Sequence, residues 1–204
     1  MEANTKRTTA IWLVVLVLLI LLVDQTIKFW VKTTFALHEG IDVCGWFQIF
    51  FVENKGMAFG WELGSKLFLS LFRILACGVL LYYLCVLIKK NYSRGYVLTV
   101  GSVFAGALGN LIDCIFYGKI FSHSYGQVAT LFPEEGGYGM WLQGRVVDMF
   151  YFPLITNDAG EVLFFSPVFN FADSAVTIGV FLILIFFRKE LNASLDSDKK
   201  TGKQ

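Results

Sequence analysis

Four apolar runs punctuate the chain: Thr9–Val23, Leu67–Ile88, Tyr96–Tyr117 and Phe169–Phe187. A helical bilayer crossing takes roughly 20 apolar residues, so each run predicts a membrane span. The first continues past Asp24 at helical spacing through Gln25, Thr26, Ile27 and Lys28. Between the first two runs, Trp46–Val52 is rich in β-formers, breaks at Asn54-Lys55-Gly56 and resumes at Met57–Gly60. That pattern predicts two strands around a turn, a small sheet over about residues 43–62. Pro133–Gly139 reads as a loop, and the polar tail 192–204 as a disordered end. The expected fold class is an all-α polytopic membrane protein with four transmembrane helices, a small extracytoplasmic β-sheet and an extracytoplasmic loop insertion.

Composition agrees with membrane residence. Of 204 residues, 56% are hydrophobic and 16% charged, an apolar excess beyond what a soluble domain of this size hides. A net charge of +1 with no basic patch gives no sign of nucleic-acid binding. Cys44, Cys77, Cys85 and Cys114 lack metal-site or disulfide-framework spacing. Lys6 and Arg7, then Lys89, Lys90 and Arg94, then Arg188, Lys189, Lys199, Lys200 and Lys203 fall on one side of a four-span chain. That side is therefore cytoplasmic, with both termini inside. No A-x-A-like site follows the first run, so it is expected to be a retained helix rather than a cleaved signal peptide. Arg73, a turn or two inside the second span, is expected to snorkel outward.

On this map the polar residues gather at one depth. Asp24 closes the first run, Asn110 and Asp113 lie near the outer end of the third, and Asn170 and Asp173 open the fourth. Asp148 stands among apolar neighbours on the same side. Carboxylates near hydrocarbon are costly, so four at one level argue for a polar site. Along the third span Gly101, Ala105 and Gly109, and likewise Ser102 and Gly106, recur every four residues, a stripe read as ordinary close helix packing. With only His38 and His123, histidine-based and zinc chemistry are poorly served, and neither a metal nor a cofactor is expected. A carboxylate pair needs neither: two acids sharing one proton can hydrolyse a peptide without a covalent intermediate.

Five segments resemble those of the lipoprotein signal peptidase (signal peptidase II) family. They are Val23-Asp24-Gln25-Thr26-Ile27-Lys28, Asn54-Lys55-Gly56-Met57-Ala58-Phe59-Gly60, the Gly106–Asp113 run, Gly144–Phe150 and Phe169-Asn170-Phe171-Ala172-Asp173-Ser174. The resemblance implies four helices, an outer-leaflet β-cradle and cleavage of prolipoproteins just before a diacylglyceryl-modified cysteine, in the cytoplasmic membrane of a bacterium. It makes Asp148 and Asp173 the catalytic pair, with Asp24, Lys28, Asn54, Gly56, Asn110, Asp113 and Asn170 lining or bracing the site. The implied partners are the lipidated prolipoprotein and membrane lipids; the chain is expected to act as a monomer. Two departures stand out. Cys114 occupies the place where the family carries arginine, and the connection before Gly144 is lengthened by an insertion at about 118–143, read as a mobile flap. The alternative class is a small ion- or proton-coupled transporter, since intramembrane aspartates also serve proton relays.

Overall fold

The structure, a computed structural model, describes residues 2–54, 66–156, 162–164 and 167–201. Helix α1 covers Glu2–Thr34, α2 Lys66–Lys89 and α3 Arg94–Ile112. The third helix runs on through a π turn, Asp113–Tyr117, into the short α4, Gly118–Ile120. After the strands come α5, Phe171–Phe186, and α6, Arg188–Thr201. Among the described residues three helices are long and apolar enough to cross a membrane, and up to four if the bent pair formed by α5 and α6 counts as one span. With 16 residues α5 is about 24 Å long, and an 86° bend separates it from α6. Of the tail expected to be disordered, 192–201 are helical, and 202–204 lie outside the described residues; α6 buries Ser194, whose hydroxyl meets that of Tyr83, while Leu191 joins an apolar cluster. That burial gives a short polar segment the tertiary partner an isolated helix lacks.

The chain divides into two compact units. One comprises 1–22, 75–108 and 172–204. Its core is Leu13, Leu84, Leu87, Tyr96, Val97 and Val100. The small-residue stripe packs as expected. A methyl group on Gly106 would strike the Ala172 carbonyl and Val176, and one on Gly179 would strike Val103 and Ser102.

The other unit comprises 23–74 and 109–171. Its sheet has strands β1, Gly40–Cys44, β2, Phe47–Asn54, and β3, Val146–Tyr151, in the antiparallel order β1-β2-β3. A separate two-stranded pair joins β4, Ile155–Thr156, to β5, Val162–Phe164. The expected 46–52 strand is present as β2, but its hairpin partner lies on the N-terminal side, at β1. Residues 57–60 and Gly56 lie outside the described residues. β1 escaped the sequence reading because its side chains are largely exposed and Gly40 packs directly against the Ile49 backbone, where a methyl group has no room. Along β2, Ile49 and Phe51 face inward and join Val31, Phe35, Val147 and Met149 in the core.

The insertion at 118–143 is fastened, contrary to the picture of a mobile flap. Phe121 and Ser124 are fully buried and Ala129 nearly so. Phe121 bridges to Leu131, and the Leu37 N–H donates to the Ser124 carbonyl at 2.8 Å.

Candidate active site

Asp148 sits in the middle of β3, opposite Val52 on β2, and is 3% exposed. Phe169 extends β3 by a single bridge: the Phe150 N–H donates to its carbonyl at 2.7 Å, and its own N–H donates back to Phe150 at 3.1 Å. That bridge sets the next residue, Asn170, beside Asp148. The Asn170 amide Nδ2 donates to Asp148 Oδ1 at 2.6 Å and to Asn110 Oδ1 at 3.0 Å.

The polarity of this contact is fixed from the far end. Lys28 is fully buried, and its ammonium Nζ meets Asp24 Oδ2 at 3.0 Å, Asp113 Oδ2 at 2.9 Å and Asn110 Oδ1 at 2.9 Å. An ammonium has three donors and no acceptor, so all three are used and Asn110 must turn its oxygen toward Lys28. The same oxygen accepts from Asn170, whose NH₂ group then spends its two donors on Asn110 and Asp148. Lys28 and Asn170 thus both donate to Asn110 Oδ1, and Asn170 gives its other hydrogen to Asp148, which leaves Oδ1 of Asp148 as an acceptor.

Asp24 and Asp113 brace this relay. Gln25 Nε2 donates to Asp24 Oδ2 and Asp113 Oδ1, each at 3.0 Å, and its Oε1 accepts from the Tyr117 hydroxyl at 3.1 Å. Asp113 Oδ2 also takes the N–H of Val147 at 3.2 Å, which ties β3 down one residue before Asp148. Asp113 opens the π turn, a helix irregularity that recurs at functional sites. Close approach at this point demands glycine: the Gly144 N–H donates to the Cys114 carbonyl at 2.9 Å, and a methyl group there would collide with the Asp113 carbonyl.

A second buried cluster lies one turn further along α1. Lys32 pairs with Glu53 Oε1 and donates to Ser124 Oγ at 3.0 Å; Arg145 pairs with Glu53 Oε2 at 2.7 Å. The rings of Phe121 and Tyr138 flank the Lys32 ammonium at 5.3 and 5.1 Å. Burial pushes the Glu53 carboxyl up, but Lys32 and Arg145 together hold it below its ordinary value. Burial raises the Tyr138 phenol, which accepts the Arg145 N–H at 2.7 Å.

Six of the residues singled out from sequence thus meet in one hydrogen-bonded network: Asp24, Lys28, Asn110, Asp113, Asp148 and Asn170. Asn54 ends β2 opposite Val146. Asp173 belongs to the other unit, in the first turn of α5, three residues beyond Asn170. Gly56 lies outside the described residues. Arg73 does not snorkel: its guanidinium NH1 donates to Cys114 Sγ at 2.6 Å, so a guanidinium from α2 stands beside the position where the family's arginine is missing. Sequence reasoning missed Gln25, Lys32, Glu53 and Arg145. One signal was available for Lys32, since Asp24, Lys28 and Lys32 follow each other at i, i+4 and i+8 and so form a polar stripe on an apolar helix.

Long apolar helices joined to a small antiparallel sheet, with a buried acid-rich network at its third strand, define a membrane protein with an enzyme-like polar centre. Residues 16–189 match the family model of signal peptidase II. The lipoprotein signal peptidase of Porphyromonas gingivalis is 52% identical over 194 residues, covering 90% of this chain and 86% of its own. That of Amoebophilus asiaticus is 33% identical over 201 residues, covering 90% and 80%. Among solved structures, a bacterial membrane enzyme determined by the in meso method at 2.3 Å resolution superposes with a TM-score of 0.60 at 26% identity, covering 88% of each chain. The chain belongs to the signal peptidase II family and is a peptidase; the transporter reading falls away.

Proposed function

We propose that the protein is an intramembrane aspartyl endopeptidase that removes signal peptides from diacylglyceryl-modified prolipoproteins. In this reading it lies in the bacterial cytoplasmic membrane as a four-span monomer with both termini inside, and it works at the outer face. Asp148 and Asp173 are the two carboxyls that share one proton. Asp24, Lys28, Asn54, Gly56, Asn110, Asp113 and Asn170 line or brace the site. The observation that carries the reading is the amide relay in which Lys28 and Asn170 both donate to Asn110 Oδ1 and Asn170 donates to Asp148 Oδ1. It pins one oxygen of Asp148 as an acceptor, so the exchange of a proton falls to Oδ2.

The chemistry follows from a pair in which one member is ionised and the other protonated. The carboxylate takes a proton from water as the water oxygen bonds to the scissile carbonyl carbon, and the carboxylic acid gives its proton to the carbonyl oxygen. The resulting gem-diol collapses: the C–N bond breaks, the leaving nitrogen takes a proton, and the pair returns to one shared proton. The products are a signal peptide ending in a carboxylate and a lipoprotein with a free amino group on its lipidated cysteine. The apolar helices suit this substrate, because its acyl chains stay in hydrocarbon while the peptide bond meets water at the interface.

The test is cleavage by the purified protein. A diacylglyceryl-modified prolipoprotein should be cut immediately before its lipidated cysteine, and the unlipidated precursor should be left intact. Equal cutting of both, or of neither, would remove the proposed substrate.

A further inference from the structure

Beside the network, and unused by it, lies a cavity of about 310 Å³ lined by Lys66, Tyr138, Gly139, Gln143 and Arg145. Lys66 opens α2, and its ammonium is buried with no hydrogen-bond partner among the described residues. Arg145 is already engaged with Glu53, and Arg73 with the Cys114 thiol. The nearby carboxylates are already bonded: Glu53 gives one oxygen to Lys32 and one to Arg145, and Asp113, whose charge reaches Lys66, is held by Lys28 and Gln25. The cavity thus holds a positive charge that the described residues leave unbalanced, and an unpaired buried charge is costly until an anion joins it.

The surroundings say what kind of anion. Leu67, Phe68, Leu71 and Phe72, which follow Lys66 on α2, are all 45% exposed or more. Met140 and Trp141, beside Gln143 in the chain, are 69% and 54% exposed. Ser70 fastens the two edges together, its hydroxyl donating to the Leu142 carbonyl at 2.6 Å. A polar cationic cavity whose lining residues Lys66 and Gln143 are neighboured in the chain by exposed apolar side chains and a tryptophan has the two halves of a lipid-interface site.

We propose that this cavity binds the phosphoryl headgroup of an anionic phospholipid, with Lys66 as the principal charge and the acyl chains lying along the start of α2. The phosphoryl oxygens accept from the Lys66 ammonium and the Gln143 amide, and the Arg145 guanidinium adds its field from the wall. The site rests on the membrane reading above but not on the assignment of the catalytic carboxyls. It gives the peptidase a bound lipid that fixes the start of α2 against residues 138–145, immediately before β3.

The full chain, delipidated in dodecyl maltoside, is titrated separately with dioleoylphosphatidylglycerol, dioleoylphosphatidylcholine and inorganic phosphate, and bound molecules are counted by native mass spectrometry. One phosphatidylglycerol should be held ~10-fold more tightly than phosphatidylcholine, and millimolar phosphate should not displace it. Lys66→Gln and Gln143→Glu should each weaken it by ~10-fold, and Lys66→Arg should retain it. Equal affinity for the two lipids, or undiminished binding in both weakened variants, overturns the site; displacement by phosphate makes it a free-phosphate site and overturns the lipid. Should Lys66→Gln fail to fold, Gln143→Glu and the comparison of the two lipids still decide. No substrate enters these counts, so a protein that binds the lipid but leaves prolipoprotein uncut contradicts the proposed function alone.

Discussion

Asn170 has two amide hydrogens and spends one on Asn110 and one on Asp148. Its neighbour Asn110 cannot flip, because its oxygen also faces the Lys28 ammonium at 2.9 Å. The orientation of Asp148 is thus inherited from a charge three side chains away, and Asn170 acts as a positioning residue. Replacing it with leucine keeps much of its volume and removes both donations. Asn170→Leu should therefore lower kcat by ~10²-fold, the cost of a misplaced reacting group, while KM changes far less. Wild-type kcat in a well-folded Asn170→Leu protein would show that Asp148 is held by something else. The buried triad of Lys28, Asp24 and Asp113 stands behind this relay. Removing one partner of such a cluster leaves an uncompensated charge and costs roughly 3–5 kcal/mol, so substitutions there read out as lost folding before they read out as lost chemistry.

Among the elements, α1, β2, the insertion and the approach to β3 are joined at Glu53. Lys32 comes from α1, Ser124 and Tyr138 from the insertion, and Arg145 from the chain just ahead of β3. The Glu53 carboxyl is 1% exposed and held below its ordinary value of 4.5. A carboxyl depressed in the folded state adds stability that is complete above its unfolded pKa and disappears as pH falls through its folded pKa. Glu53→Gln should accordingly melt well below the parent at neutral pH, and the gap should narrow as the pH drops below about 4.5. Thermal unfolding in detergent from neutral to acid pH checks this; a gap that stays constant would mean that Glu53 is not ionised in the folded protein. This junction was hardly legible in the sequence, because Glu53 sits in a strand with no visible partner and its cations lie in two other elements. The long helices were legible, since their apolar runs need no partner to be recognised. The Asp24, Lys28 and Asp113 cluster was legible as polar residues at one depth, although its direction toward Asp148 required the amide contacts of Asn110 and Asn170. Strand β1 and the anchoring of 118–143 were not, because both depend on backbone pairing that exposed or mixed side chains do not announce.

At the scale of the whole molecule, the proposal requires a one-sided site with both termini on the opposite face. That orientation is the one the Lys and Arg distribution leads one to expect. Single cysteines placed at Glu134 and Ser197, over a background lacking the four native cysteines, should report it in intact spheroplasts. An impermeant maleimide should label the first and miss the second; the reverse pattern would turn the site to the cytoplasm. The central claim is that two carboxyls, Asp148 and Asp173, carry out hydrolysis as a unit. Neither amide replacement changes side-chain volume appreciably, and each removes the capacity to share a proton. The most direct measurement is the turnover of a diacylglyceryl-modified prolipoprotein by folded Asp148→Asn and Asp173→Asn proteins. The account predicts that each falls by ~10²–10⁴-fold or more with substrate binding preserved, whereas substantial cleavage by either variant would contradict it.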